Sequence, residues 1–285
     1  MTWFLLALCA ALFWAVGQVL VKKGFDHIPP LWSNIFTNTL VCVIHIVPVL
    51  FLSGFRITVP PLPILVTIVI TASFYHTFYY AISKGEVSLT GTLVAGYPMI
   101  TVLLSGLFLG ERLEPVQYLG VGFVVIGVVL VALPEKRMSE KLKDFSWVVW
   151  GLACAFLIGA GDFLTKLSIN RIGAYSHVLF LAVVSNPMGG LNYLIDRKGR
   201  PFPDVRRKKA LPTLIGLVVM SIGTLLFILS FDYGKVSLIA PVSSIYPAII
   251  AVLAVRFLGE TITSKQGTGI GIIVAGLVLI GLGTI

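Results

Sequence analysis

Of the 285 residues, 57% are hydrophobic and 12% charged, about half the charge of a soluble globular domain. That composition excludes a soluble enzyme, a disordered chain and a secreted disulfide scaffold, and it points to an all-α polytopic membrane protein. The formal charge of +9 fits basic cytoplasmic loops better than nucleic-acid binding.

A helix needs about 20 apolar residues to cross a bilayer, and hydropathy with its breakers divides this chain into ten such spans. Span 1 (3–22) opens without a basic leader, and its charges, Lys22 and Lys23, follow the apolar run. That polarity predicts a retained helix with an external N-terminus instead of a signal peptide. Trp14 and Gln18 share one face of it and are candidates to line a cavity wall, where the indole would attract a cation. The hinge Ile28-Pro29-Pro30 leads into span 2 (31–53), and Val59-Pro60-Pro61 into span 3 (60–83).

Span 3 carries SFYHTFYY at 73–80, whereas IGTLLFIL at 222–229, the matching stretch of span 8, is almost wholly apolar. Scaffold should look alike in two related halves, but specificity need not. Tyr75, His76, Tyr79 and Tyr80 are therefore candidate substrate contacts, and an interfacial aromatic belt is the competing reading. Span 4 (87–109) holds Tyr97-Pro98 near its centre, where proline removes a donor and kinks a helix. Span 5 (116–133) is rich in glycine.

Span 6 (147–167) contains Asp162, the only acidic residue well inside a predicted span. Such a carboxylate is costly unless it faces protein, water or a counter-charge. Lys166, four residues on, shares its face, so a local i,i+4 pair is one reading. The functional reading makes Asp162 a counter-ion for a cationic or zwitterionic substrate, or a proton site, with Lys166 as a further candidate substrate contact. After span 7 (173–195) comes DRKGRPFPDVRRKK at 196–209, an orientation signal and a contact for anionic lipid headgroups. Spans 8 (211–232), 9 (236–257) and 10 (266–284) complete the chain, and span 9 repeats the Tyr-Pro pair as Tyr246-Pro247.

Sixteen of the 21 Lys and Arg residues fall in the loops joining spans 1–2, 3–4, 5–6, 7–8 and 9–10. The positive-inside rule makes those loops cytoplasmic and both termini external. Cys9, Cys42 and Cys154 lie in apolar runs without CxxC spacing or a histidine cluster. They read as small buried hydrophobes, and no metal site is expected.

Self-similarity is the strongest signal. At a constant offset of 149, Gly85 meets Gly234, Val87-Ser88-Leu89 meets Val236-Ser237-Leu238, and Tyr97-Pro98 meets Tyr246-Pro247. Leu109-Gly110-Glu111 then meets Leu258-Gly259-Glu260, and Gln117, Gly120, Gly122 and Gly127 meet Gln266, Gly269, Gly271 and Gly276. A weaker match at offset 144 pairs Gly17, Gln18 and Lys22 with Gly161, Asp162 and Lys166. Two five-helix repeats, 1–134 and 135–285, follow. An odd helix number inverts the second repeat in the membrane, a recurrent plan of secondary transporters. The matched Tyr-Pro pairs then read as gating kinks, and Gly106-xxx-Gly110 and Gly267-xxx-Gly271 as close-packing positions. Glu111 and Glu260 sit at the water boundary and read as turn-orienting residues.

With these residues in hand, 78–133 resembles an EamA-type repeat of the drug/metabolite transporter superfamily, and 227–284 resembles its second copy. The Gly/Ser start, central proline, LGE turn and glycine-rich last helix carry the resemblance. It implies a ten-helix, cofactor-free carrier in the cell membrane that works by alternating access and commonly exports small metabolites. The expected substrate is a small polar compound such as an amino acid or amine, moved with protons or by exchange. Lipids are the other expected partners, no nucleic acid is, and the chain is a monomer or homodimer.

Two other classes compete. Gly159-Ala160-Gly161-Asp162 spells the GxGD of an intramembrane aspartyl protease, with Asp232 as the second carboxylate. However, no Tyr-Asp pair precedes it and no Pro-Ala-Leu follows, and the repeat would be unexplained. A channel or non-transporting receptor is the remaining alternative. No P-loop GxxxxGK[ST] is present, so nothing suggests direct ATP drive.

Overall fold

The computed structural model describes residues 1–24, 27–54, 56–75, 77–78, 94, 96–132, 146–196, 201–205, 208–258 and 263–283. Among these residues every regular element is helical. The elements are α1 (Thr2–Gly24), α2 (Pro30–Val41), a π-turn (Cys42–Ile46), α3 (Val47–Leu52), α4 (Leu62–Tyr75), α5 (Tyr97–Phe108) and α6 (Pro115–Ala132). They continue as α7 (Ser146–Ile172), α8 (Ala174–Ile195), α9 (Leu211–Ser230), α10 (Val236–Ser243), α11 (Tyr246–Leu258) and α12 (Ser264–Leu282). Among the described residues six stretches are long and apolar enough to cross a membrane, one of them Pro30–Leu52 taken through the π-turn. Four shorter apolar helices accompany them.

In two of these helices burial runs opposite to that of a soluble protein. α1 buries Ala7, Ala10, Ala11 and Ala15 completely, while Leu5 and Leu12 are exposed. α6 buries Val121, Val124 and Val128 and exposes Leu119, Phe123 and Ile126. Small side chains inside let backbones approach, and large ones outside suit a hydrocarbon surround.

Contacts divide the chain into two compact units that do not follow the sequence halves. The first unit comprises Met1–Tyr80 and Leu164–Tyr233, the second Ala81–Phe163 and Gly234–Ile285. Each takes helices from both halves of the chain, and α7 begins in the second unit and finishes in the first.

In the first unit α1 packs along α9. A methyl group on Gly17 would lie 2.8 Å from the Gly216 carbonyl, and one on Gly216 would lie 2.7 Å from the Gly17 carbonyl. Thr213 ties the pair by donating to the Val21 carbonyl over 3.2 Å. The π-turn has a local cause: the ring of Pro48 would collide with the Ile44 carbonyl in a regular helix, and proline offers no N–H to it. It carries His45, whose Nε2–H donates to the Ser221 carbonyl at 2.8 Å. Gly173 (φ 78°) ends α7 in the left-handed region and turns the chain directly into α8.

In the second unit α6 packs along α12, and α5 packs on α10. α12 starts with a capping box, in which the Thr263 hydroxyl accepts from Gln266 N–H and the Gln266 side chain accepts from Thr263 N–H.

Candidate functional site

The second unit gathers polar groups around the start of α5. α10 and α11 are two parts of one apolar stretch, separated at Ser244 and Ile245. Span 9 is therefore broken, not merely bent, and the Tyr-Pro pairs do not lie mid-helix: Tyr246-Pro247 opens α11 and Tyr97-Pro98 opens α5. Proline suits the first turn of a helix, where its missing N–H has no partner to lose. Pro247 offers no N–H to the Ser243 carbonyl, whereas Ser244 N–H still donates to the Ala240 carbonyl at 3.0 Å and the Ile245 carbonyl accepts from Ala248 N–H at 2.9 Å.

Tyr97 is buried against Ala155 and Ala240. Its hydroxyl lies 3.2 Å from the Ala240 carbonyl, to which it donates, and 3.0 Å from Ser243 Oγ. One phenol thus ties the end of α10 to the start of α5. One turn further along α5, the Thr101 hydroxyl lies 3.3 Å from the Gly159 carbonyl, 3.4 Å from the Tyr97 carbonyl and 3.5 Å from Asp162 Oδ2. A single hydroxyl proton faces three acceptors there. Asp162 itself is 1% exposed. The approach is close because residue 159 is glycine: a methyl group there would lie 2.6 Å from the Tyr97 carbonyl.

The other end of α10 is held by Glu111, and all eight residues of this helix, Val236–Ser243, are buried. Glu111 Oε1 accepts from Val236 N–H at 3.1 Å, and Oε2 accepts from Ser237 N–H at 3.0 Å and from the Ser237 hydroxyl. The Lys235 ammonium donates to the Arg112 carbonyl beside it. The LGE glutamate is therefore a helix cap supplied from a residue 125 positions away. A carboxylate at a helix N-terminus satisfies orphan N–H groups and complements the dipole. Glu111→Ala is expected to lower unfolding stability by about 2 kcal/mol, and Glu111→Gln by less, because the amide keeps one acceptor. Thermal unfolding in detergent measures both.

The remaining sequence candidates fall elsewhere. Trp14 belongs to the first unit, where its indole N–H donates to Thr224 at 3.2 Å and its ring lies 5.0 Å from Phe227. It is part of the α1–α9 packing. Gln18 is half-buried on α1. Lys166 donates to the Phe231 carbonyl, at the C-terminal end of α9, where a cation meets the negative end of the helix dipole. Asp232 accepts from Ala174 N–H at 3.3 Å, at the start of α8. The side chain of Tyr75, and His76, Tyr79, Tyr80 and Glu260, lie outside the described residues.

Sequence reasoning passed over Thr101 and Ser243, and gave Ser237 no part beyond the repeat. Their signal was available: each is a hydroxyl in an apolar run, and Thr101 stands one turn after Tyr97.

Known proteins resemble this chain along nearly its whole length. The EamA-like transporter family matches residues 1–133 and 145–282. A Salmonella typhimurium protein named "Probable amino-acid metabolite efflux pump" is 26% identical over 95% of this chain and 92% of its own length. The "Pseudopaline exporter CntI" of Pseudomonas aeruginosa is 26% identical over 83% of this chain and 80% of its own. A solved crystal structure shares the fold with a TM-score of 0.80 at 17% identity, covering 98% of this chain and 96% of that one.

Proposed function

Because this chain belongs to the EamA-like transporter family, we propose that it is a secondary carrier that exports a small amino acid or amine by alternating access. It is an integral membrane transporter and not an enzyme. The observation that carries the reading is the break between α10 and α11, in the unit that also buries Asp162. Non-helical backbone at membrane depth is tolerated where it meets protein or a water-filled cavity, and carriers build their sites from such discontinuous helices. Similarity over 83–95% of this chain to proteins named as an efflux pump and an exporter supports the direction of transport.

We read the six long and four shorter apolar helices as ten spans in two inverted repeats, 1–134 and 135–285, with both termini external. Exchanged contacts support this. Gly120 approaches Gly276 and Gly127 approaches Gly269, and the offset of 149 turns each contact into the other. The same offset relates two caps: Gln117 accepts from Glu114 N–H as Gln266 accepts from Thr263 N–H. At offset 144, the Cys42 thiol donates to the Ala182 carbonyl (3.4 Å) and the Asn186 amide to the Asn38 carbonyl (3.5 Å).

In this reading Asp162 is the substrate counter-ion or a proton site, and the run Tyr75, His76, Tyr79, Tyr80 supplies specificity. Tyr97-Pro98 and Tyr246-Pro247 are gating positions, and the Tyr97 hydroxyl latches α10. Transport runs by proton coupling or exchange.

Purified protein in liposomes loaded with an unlabelled amino acid or amine tests the proposal. A carrier takes up the labelled compound faster in proportion to the load inside, and the effect saturates. Uptake that ignores the load indicates a channel, and no uptake across amino acids, amines, sugars and organic acids indicates a receptor.

A further inference from the structure

The first unit contains a groove of about 230 Å³ between α2 and α8. Its mouth is aromatic: Trp32 lies 6.2 Å from Tyr193 and 4.7 Å from Phe202, edge to face in both cases. The Trp32 indole N–H donates to the Pro201 carbonyl at 3.0 Å, which fixes the ring against the loop after α8. Its other end is lined by Asn38, which is buried, and Asn186, which is exposed. Those carboxamides stand six and seven residues from Trp32 and Tyr193, about 9–10 Å along their helices.

The wall contributed by α8 is Gly189-Gly190. A methyl group on Gly189 would meet the Asn38 amide at 2.9 Å, but one on Gly190 would meet nothing within 4 Å. The groove is open on that side. Leu194 and Ile195, 65% and 71% exposed, continue the α8 surface past it.

We propose that this groove is a binding site for an anionic phospholipid, with the phosphate at the aromatic mouth and the upper acyl chain along Gly190. Three observations converge on that ligand. Tryptophan and tyrosine occupy the headgroup level of membrane helices, so the groove runs from that level toward the hydrocarbon. The segment 196–209 that follows α8 carries seven Lys and Arg residues against two aspartates, and Lys208 and Lys209 are exposed. Phe202, in the same segment and packed edge to face on Trp32, is 64% exposed, an apolar ring open to the surround beside the mouth. Basic clusters adjoining membrane helices in sequence select anionic headgroups. The site rests on these helices spanning a membrane and is independent of the transport reading.

Thermal unfolding in neutral detergent, with added dioleoylphosphatidylglycerol or dioleoylphosphatidylcholine, is the test. A ligand of the folded state raises the midpoint with its concentration, so phosphatidylglycerol stabilises the parent more than phosphatidylcholine does. Gly190→Phe puts a ring on the open side of the groove, where the first side-chain carbon meets nothing within 4 Å; it keeps the midpoint in detergent alone and loses the phosphatidylglycerol increment. The doubly substituted Lys208→Gln, Lys209→Gln chain, altered only at exposed positions, binds phosphatidylglycerol about tenfold more weakly and keeps its response to phosphatidylcholine. Equal increments from the two lipids, or a phosphatidylglycerol increment intact in either variant, overturn the proposal.

Discussion

Asp162→Asn is expected to reduce transport of amine-bearing substrates by roughly 30-fold or more while sparing uncharged ones. The parent carboxylate is 1% exposed and shares the Thr101 hydroxyl with two backbone carbonyls. A substrate ammonium entering that low-dielectric setting gains a charge-assisted partner, and losing one member of such a desolvated pair costs about 2–5 kcal/mol. Asparagine keeps the shape and removes the charge. The ratio between two substrate classes decides the matter: a packing defect depresses both, whereas loss of a counter-ion depresses one. Initial rates of counterflow, measured for an amino acid or amine and for a neutral compound of similar size, give that ratio. Equal losses refute the counter-ion role. A third pattern, exchange intact but uptake no longer driven by a pH gradient, assigns the carboxylate to proton coupling instead.

The prediction also explains the composition around Asp162. Gly159, Thr101 and the Tyr97 carbonyl crowd one side of it within the second unit. A larger residue at 159 would push α5 away, since a methyl group there meets the Ile100 side chain at 2.7 Å as well as the Tyr97 carbonyl. The glycine that makes the motif resemble GxGD is thus needed for helix packing. The second carboxylate that a protease would require, Asp232, is occupied with the first N–H of α8.

What could be read in advance follows from the range of each physical signal. Apolar runs of about 20 residues are dictated by bilayer thickness, so most spans match helices to within a few residues. Proline position was legible, but its consequence was displaced: Pro247 marks a break that opens just before it, because the clash falls on the carbonyl four residues back. Pro48 acts similarly and produces a π-turn, which hydropathy does not register. Periodicity placed Trp14 and Gln18 on one face of α1 but says nothing of what faces them, and Thr224 and Phe227 take Trp14. Glu111 was legible as a turn residue. Its cap on α10 depends on a contact across 125 residues, which local pattern does not reach.

Glycine packing gives the second large expected effect, because identical residues on the same helices differ in what surrounds them. Gly276→Ala and Gly127→Ala are expected to destabilise the protein severely, by about 1–3 kcal/mol each through overpacking. A methyl group on Gly276 would lie 2.7 Å from the Gly120 carbonyl and 2.8 Å from Val124 N, and one on Gly127 would lie 2.7 Å from the Gly269 carbonyl and 2.9 Å from Ile273 N. These neighbours are backbone atoms that cannot yield without separating α6 from α12. Gly122→Ala and Gly271→Ala meet nothing within 4 Å, so helix propensity alone acts and they should gain up to about 1 kcal/mol. The seven-residue spacing of Gly120 and Gly127 is what matters, matched by Gly269 and Gly276. The xxx spacing of Gly106 with Gly110 does not create such an approach: the atom nearest a methyl group on Gly106 is the Glu111 carbonyl at 3.8 Å, and Gly110 (φ 67°) is a turn residue. Chemical unfolding of the four variants in detergent separates the two pairs in sign. If all four shift alike, the α6–α12 approach is looser than described, and with it falls the exchanged-contact argument for an inverted repeat.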